Sequence, residues 1–389
     1  MKNRILQHKP IAYRLALSAL FFNQGVIFAS WASRIADIKT KLNLSEADLG
    51  SILFALPIGQ LITMWISGML VTKCGSKKMI TISCIIYPIA LVALSFVNTP
   101  IQLFVGLVLM GMAANLGNIS LNTQAVSVEN IYGRSIMSSF HGLWSLAGFC
   151  GGIFSTLLAS VGIGIFANFF GTLVFSYVLM FITRRFILPF DVSKSDTDTS
   201  TKTRGMFSPT PFIVFLGAIA FGCMSCEGMM FDWSVVYFKE VLSAPVEKMR
   251  LGYIAFMGTM ALGRFVADRL IMRFGMAKIL QASGVLVFVG MMISVVFPSV
   301  LWSSLGFMLV GAGVSSVVPI CFSLAGRSRR MPAGIAIATV STIGFFGFLI
   351  CPPIIGFIAE LSSLRVSFAI LACFGLLITA VVPIIKSRI

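Results

Sequence analysis

The chain has 389 residues, of which 58% are hydrophobic and 11% charged, and its mean hydropathy is +0.98. Soluble domains carry about twice that share of charged residues, so this composition excludes a soluble domain and predicts a polytopic protein of the lipid bilayer. A formal net charge of +16 would suggest a nucleic-acid partner in a soluble protein; here we expect none, because loop Lys and Arg residues orient membrane spans.

Hydropathy predicts twelve spans of about 19 residues or more. The predicted spans are Ile11–Trp31, Leu49–Val71, Met79–Val97, Ile101–Val126, Ile136–Val161, Ile163–Ile182, Pro211–Phe238, Leu251–Ala267, Ala277–Phe297, Leu301–Leu324, Ala333–Ile358 and Val366–Ile385. The predicted fold class is therefore an all-α integral membrane protein with twelve transmembrane helices.

The basic residues are distributed unevenly between the two sides of the predicted spans. The loops on one predicted side of the membrane hold 21 of the 29 Lys and Arg residues, and the loops on the other side hold 7. The remaining residue, Arg264, lies inside span eight. The side richer in Lys and Arg is the cytoplasmic one. Both termini are therefore predicted to lie in the cytoplasm.

A polar stretch between spans six and seven divides the chain into two halves. We predict an N-terminal six-helix bundle over 1–185, a cytoplasmic linker over 186–210 and a C-terminal six-helix bundle over 211–389. The two halves contain similar short sequences at equivalent positions. The segment Gly106–Gly111 is similar to Gly306–Gly311, and Leu49–Phe54 is similar to Leu251–Phe256. Such pseudo-symmetric repeats place a binding site at mid-membrane between the halves.

Span seven contains a deeply placed acid, Glu227. At ~1.5 Å per residue it lies roughly 24 Å from Pro211, past the middle of the span. A carboxylate at that depth is costly and usually faces a protein interior or a water-filled cavity. Two interpretations are open: a structural glutamate bonded to a neighbouring helix, or a transport-site residue that carries a proton.

The loop after span two resembles a motif of the major facilitator superfamily, G-x-x-x-D-[RK]-x-G-x-[RK]-[RK]. The chain has Gly68, Lys73, Gly75, Lys77 and Lys78 at the matching positions, and Thr72 where the family has Asp. A displaced version of the motif runs through 263–275. With the twelve spans and the 6+6 repeat, the resemblance covers essentially the whole chain and implies the major facilitator fold.

Two further segments, 138–145 and 227–234, look like a bacterial branch near the fucose-permease-like transporters. That resemblance implies a monomeric secondary active transporter of the inner membrane, working by alternating access. It is suggestive of a small sugar- or polyol-like solute, and the deeply placed Glu227 predicts proton-coupled symport. No cofactor or metal is expected, and without an H-E-x-x-H or G-x-S-x-G pattern we expect no enzymatic activity. The alternative is a proton-coupled exporter of amphipathic compounds.

Polar and aromatic side chains within the spans are candidate substrate ligands. Side-chain amides both donate and accept hydrogen bonds, as hydroxyl-rich solutes require, and aromatic rings can pack on the apolar face of a sugar. The alternative is that the amides bond between helices. The candidates are Asn23, Gln24, Trp31, Asn115, Asn118, Trp144, Glu227 and Trp233.

Other candidates concern proton coupling and gating. Glu227 and His141 are the predicted proton-coupling residues, although His141 could instead form a gate or an interhelical bond. The predicted gating residues are Lys73, Gly75, Asp232, Arg264 and Asp268. Asp232 could pair with Arg34, Lys39 or Lys41, and Arg264 with Asp268 at i+4. Arg264 is expected to lie too near the cytoplasmic end to pair with Glu227.

Overall fold

The computed structural model describes residues 10–44, 46–189, 191, 210–245, 248, 251–328 and 330–385. In these residues the backbone is helical, with short connections. The helices are α1 Pro10–Ser33, α2 Ile35–Leu42, α3 Glu46–Leu53, α4 Ala55–Cys74, α5 Ser76–Ala93, α6 Pro100–Tyr132, α7 Met137–Ser160, α8 Ile165–Thr183, α9 Pro211–Glu240, α10 Leu251–Phe274, α11 Met276–Val296, α12 Val300–Val314, α13 Val317–Gly326, α14 Ala333–Leu361 and α15 Leu364–Ile385. Two 3₁₀ turns follow α5 and α8 at Leu94–Phe96 and Arg184–Phe186.

The membrane class predicted from hydropathy is confirmed. Among the described residues, ten helical segments are long and apolar enough to cross a bilayer. Helices α7 and α10, each of 24 residues, occupy the positions of predicted spans five and eight. Each predicted span therefore falls on one helix or on two consecutive helices, as an all-α integral membrane fold requires.

Several helix boundaries differ from the predicted spans. Helix α6 continues to Tyr132 and α10 to Phe274, seven residues beyond the predicted end of span eight at Ala267. Hydropathy ends a span at its charged residues, whereas backbone hydrogen bonds extend a helix beyond the apolar segment. Span ten is two helices, α12 and α13, separated at Ser315 and Ser316.

The described chain forms two compact units. Unit 1 comprises residues 1–133, 143–201 and 331–338, and unit 2 comprises 134–142, 202–330 and 339–389. The first residues of α7 thus group with unit 2, and the first residues of α14 group with unit 1. The predicted linker at 186–210 lies mostly outside the described residues, so the division of domains at that linker stays a prediction.

The same packing scheme builds both units. In unit 1, α6 packs against α4 and α5, and α8 packs against α5 and α1. In unit 2, α12 packs against α10 and α11, and α15 packs against α11 and α9. The echo between the two halves of the sequence therefore has a counterpart in the internal packing of each unit.

Glycines at matching positions of the two halves explain part of the sequence similarity between them. A Cβ at Gly111 would overlap the Leu56 carbonyl oxygen, and one at Gly311 would overlap that of Phe256, so α6 and α12 each meet their neighbour backbone to backbone. Gly75 and Gly275, which separate α4 from α5 and α10 from α11, both have φ of 84°. Residues with a side chain rarely adopt this positive φ, whereas glycine adopts it readily.

Candidate functional site

Glu227 lies on a half-buried face of α9. The face repeats every three or four residues and carries Phe221, Met224, Glu227 and Phe231, which places the side chains in one row. The opposite face, which includes Cys226, Met229 and Met230, is fully buried in unit 2. Apolar packing therefore fixes the rotation of α9, so that the carboxylate is 13% exposed rather than sealed in the core.

Arg264 of α10 contacts this carboxylate directly. Its Nη2 lies 3.3 Å from Glu227 Oε1, within both hydrogen-bond and ion-pair distance, and the arginine side chain is 11% exposed. Arg264 lies on a half-buried face of α10 with Tyr253, Met257 and Ala261. Two neighbouring helices of unit 2 thus bring a carboxylate and a guanidinium together.

The expectation that Arg264 lies too near the cytoplasmic end to reach Glu227 was wrong. Glu227 precedes the end of α9 at Glu240 by 13 residues, and Arg264 follows the start of α10 at Leu251 by 13. At ~1.5 Å per residue, both lie about 20 Å from the connection between the two helices. The error came from ending span eight at Ala267, because the true helix continues to Phe274.

Three aromatic rings cluster next to Glu227 on the side toward that connection. The Phe231 ring lies 5.8 Å from Phe348 and 6.4 Å from Tyr253. A Cβ at Gly228 would lie 3.6 Å from Phe348, so the ring packs beside the residue that follows Glu227. Phe231, Tyr253 and Phe348 were not among the predicted site residues, because aromatic residues are common in membrane spans and no local pattern distinguishes them.

His141, at the start of α7, belongs to unit 2 and is half-buried. Its ring centroid lies 5.9 Å from that of Phe322 on α13. This aromatic contact fits the interpretation that His141 contributes to packing between helices. Its role in proton coupling stays a prediction.

Asp268 of α10 accepts hydrogen bonds at the start of α7. The donors are the backbone N–H groups of Ser138 (3.1 Å) and Ser139 (2.8 Å), together with the hydroxyls of Ser135 and Ser139. The carboxylate, only 5% exposed, therefore caps a helix other than its own and complements its N-terminal dipole. The sequence did not predict this cap, and the predicted local pair of Asp268 with Arg264 stays a prediction.

The two candidate asparagines of α6 differ in exposure: Asn115 is buried and Asn118 is accessible. Asn115 is buried and donates to Thr63 and Ser67 of α4, at 3.4 and 3.2 Å. Asn118 is exposed, although Ala113–Glu129 is otherwise buried, and its Oδ1 accepts from Asn122 Nδ2 at 2.6 Å. The interhelical interpretation fits Asn115, and Asn118 retains an accessible amide.

The span-one candidates of α1 lie in the packed interior of unit 1. Asn23 accepts from Ser176 of α8 at 2.8 Å, and its Nδ2 is buried with no hydrogen-bond partner among the described residues. The Gln24 amide packs against Gly117, where a Cβ would overlap it. Trp31 is buried in a hydrophobic cluster with Ile27 and other residues.

The remaining aromatic candidates pack against other helices. Trp144 is half-buried, with its ring 5.8 Å from that of Phe28. Trp233 packs beside Gly356 of α14, where a Cβ would lie 3.3 Å from the ring. Their role as substrate ligands stays a prediction.

Of the other gating candidates, Lys73 lies in the last turn of α4, Gly75 follows that helix and Asp232 lies within α9. Lys73 and Asp232 are exposed, and Gly75 forms the turn described above. Thr72, which replaces the family's Asp, donates to the Gly68 carbonyl in its own helix at 2.9 Å. Arg34, a proposed partner of Asp232, is bound inside unit 1 by Asp37 at 2.8 Å, Asn168 and the Ile163 carbonyl.

Sequence and structure comparisons agree with this architecture. The family model described as Major Facilitator Superfamily matches residues 16–333. The chain is 32% identical to an uncharacterized MFS-type transporter of Yersinia pestis over 95% of both chains. It is 29% identical to an uncharacterized transporter of Sinorhizobium fredii, over 95% of this chain and 97% of that one.

Solved structures of the transporter FucP share the fold. The outward conformation gives a TM-score of 0.82 at 15% identity, covering 97% of this chain and 99% of FucP. A variant described as the E. coli fucose:proton symporter gives 0.77 at 16% identity, over 98% and 100% of the two chains. At such identities the likeness establishes the fold alone.

The helical membrane fold and the polar groups within its spans define a multi-pass membrane transporter. The match to the family model covers most of the sequence, and the chain belongs to the Major Facilitator Superfamily.

Proposed function

We propose that the protein is a secondary active transporter that imports a small polar organic solute, sugar- or polyol-like, by alternating access coupled to proton symport. Glu227 carries the coupled proton in this proposal. The location is the bacterial inner membrane, with both termini in the cytoplasm, as the 21-to-7 distribution of Lys and Arg predicts.

The observation that carries the proposal is the contact between Glu227 and Arg264. A titratable group inside a membrane bundle is expensive and usually functional. A purely structural ion pair would be protected best by complete burial, whereas both partners here keep about a tenth of their side-chain surface exposed. Water or a solute can therefore reach the carboxylate, as a proton carrier requires.

The candidate ligands for the solute in unit 2 lie near the pair. Phe231, Tyr253 and Phe348 offer half-buried ring faces, which suit the apolar face of a sugar-like ring. Within unit 1, Asn118 has an accessible amide, and its role as a substrate ligand stays a prediction. The similarity to FucP, described as a fucose:proton symporter, supports a solute of this size and this mode of coupling.

Replacing Glu227 with Gln tests the proposal, because glutamine keeps the shape but cannot titrate. The solute is first identified by thermal-shift screening of the purified protein against sugars, polyols and their acids. Liposomes containing Glu227→Gln should still exchange labelled solute at equilibrium, yet fail to accumulate it when a pH gradient is imposed. Wild-type protein should do both.

The matched control is Glu240→Gln, which removes an exposed carboxylate at the end of the same helix. It should behave as wild type in both assays. Accumulation at the wild-type level by Glu227→Gln would eliminate Glu227 as the proton carrier and leave it a structural role.

A further inference from the structure

We propose that the transported solute is an organic acid, and that its carboxylate replaces Glu227 on Arg264 while Glu227 takes up the coupled proton. The inference rests on the proposed function and narrows it from sugar- or polyol-like solutes in general to their carboxylate-bearing forms. Arg264 becomes the group that selects the charge of the solute.

The geometry of the Glu227–Arg264 pair allows another carboxylate to take the place of Glu227 on the guanidinium. One oxygen and one nitrogen meet at 3.3 Å, whereas charge-assisted hydrogen bonds between such groups usually measure about 2.7–2.9 Å. A planar guanidinium can hold a carboxylate through two parallel hydrogen bonds. A small carboxylate that approaches Arg264 from the exposed side can therefore form a better contact than Glu227 does.

Charge balance links this replacement to proton uptake. Protonating Glu227 adds one positive charge to a site of low polarity, at the same time as it weakens the attraction to Arg264. A carboxylate that arrives with the proton cancels that added charge. The loaded site then has the same net charge as the empty one, so neither state carries an extra desolvation cost. A neutral solute would leave the added charge in place.

The neighbouring charged and titratable groups do not offer the same exchange. Asp268, one turn further along α10, is held at the start of α7 by the N–H groups of Ser138 and Ser139. His141 approaches from the start of α7 and packs on Phe322. Glu227 contacts Arg264 at 3.3 Å from the half-buried row of α9.

The rings described above suit the rest of such a solute. Phe231 belongs to the same half-buried row of α9 as Glu227, and its ring lies 5.8 Å from that of Phe348, which packs beside Gly228. A carbon skeleton the size of a monosaccharide can pack there while its carboxylate lies on Arg264. The chemical class is thus a small sugar acid, cyclitol acid or similar hydroxylated carboxylate.

Matched pairs of solutes test the inference on the purified full-length protein. Glucuronate against glucose and galacturonate against galactose differ only at C6, which is a carboxylate in the acid and a hydroxymethyl group in the neutral sugar. Binding is followed by thermal shift between pH 5.5 and 8. For wild type we expect at least one acid to bind tenfold or more tightly than its neutral counterpart, with affinity that rises as the pH falls.

The variants separate ligand contact from structural support. Arg264→Gln should lose the preference for the acid, whereas Arg273→Gln, an exposed arginine at the end of the same helix, should retain it. Glu227→Gln should bind the acid with an affinity that no longer changes with pH. A purely structural role for Arg264 would leave the preference for acid over neutral solute unchanged in every folded variant.

Three results would overturn the inference: equal binding of neutral and acidic solutes, failure of every acid to bind, or an acid preference that survives Arg264→Gln. If a neutral solute is accumulated through Glu227 under a pH gradient, the proposed function stands and the inference fails. If an acid binds through Arg264 but is never accumulated by a pH gradient, proton coupling fails instead.

Discussion

At the scale of single residues, charge couples Glu227 to Arg264. Each group is partly removed from water, so each depends on the other to offset the cost of its burial. Removing one partner leaves an uncompensated charge, while removing both leaves neutral polar groups. The pair therefore contributes to stability in a strongly non-additive manner, which a double-mutant cycle can measure.

We predict that Arg264→Gln lowers the thermal stability of the detergent-solubilised protein more than the Glu227→Gln, Arg264→Gln double variant does. The expected difference is about 1–3 kcal/mol, below that of a fully buried pair because both side chains keep some contact with solvent. Stability is measured by tryptophan fluorescence during heating. Additive effects would show that the two groups do not interact in solution.

The sequence identifies some of these residues and misses others for a physical reason. A lone acid in an apolar span identifies Glu227, because such residues are rare and costly. Asn115 and Asn118 are indistinguishable in sequence, since only the packing of α4 against α6 decides which amide is buried. The Arg264 contact depends on the register of two helices, which hydropathy does not determine.

At the scale of elements, close helix crossings shape both units. Helix α6 reaches the backbone of α4 at Gly111, and α12 reaches that of α10 at Gly311. Small residues at such crossings maximise van der Waals contact in a bilayer, where no hydrophobic effect drives helices together. The glycines are visible in the sequence as a repeat, although the sequence does not reveal which carbonyl each one meets.

We predict that Gly111→Ala destabilises the protein by about 1–3 kcal/mol, because a methyl group cannot fit against the Leu56 carbonyl without moving a helix. Gly171→Ala on α8 is the control, since a Cβ there meets nothing within 4 Å. The retained fraction of monodisperse protein after heating reports both variants. Equal retention of the two would contradict the backbone crossing.

The ends of helices, and the partners of charged residues near those ends, were also difficult to predict from the sequence. Span four was predicted to end at Val126, yet α6 continues to Tyr132 and the carboxylate residue Glu129 within it is buried. Asp268 caps α7, a contact with another helix that the sequence did not predict. Hydropathy places charged residues at the edges of the predicted spans. It does not reveal their hydrogen-bond partners, because those partners lie on other helices.

At the scale of the whole molecule, hydropathy and the internal repeat predict the fold class because both are recorded in local patterns. Twelve apolar segments and two matching halves suffice for the architecture that the comparisons confirm. The composition of the units could not be predicted in the same way. Residues 134–142 group with unit 2 and 331–338 with unit 1, which depends on contacts distant in sequence.

The central claim, that Glu227 takes up a proton together with the solute, is tested most directly by recording external pH. De-energised cells that contain the protein are placed in lightly buffered medium, and the solute identified by thermal shift is added. We predict that the medium becomes more alkaline with wild type and with Glu240→Gln, and that its pH stays constant with Glu227→Gln. Alkalinisation by Glu227→Gln at the wild-type rate would contradict the account.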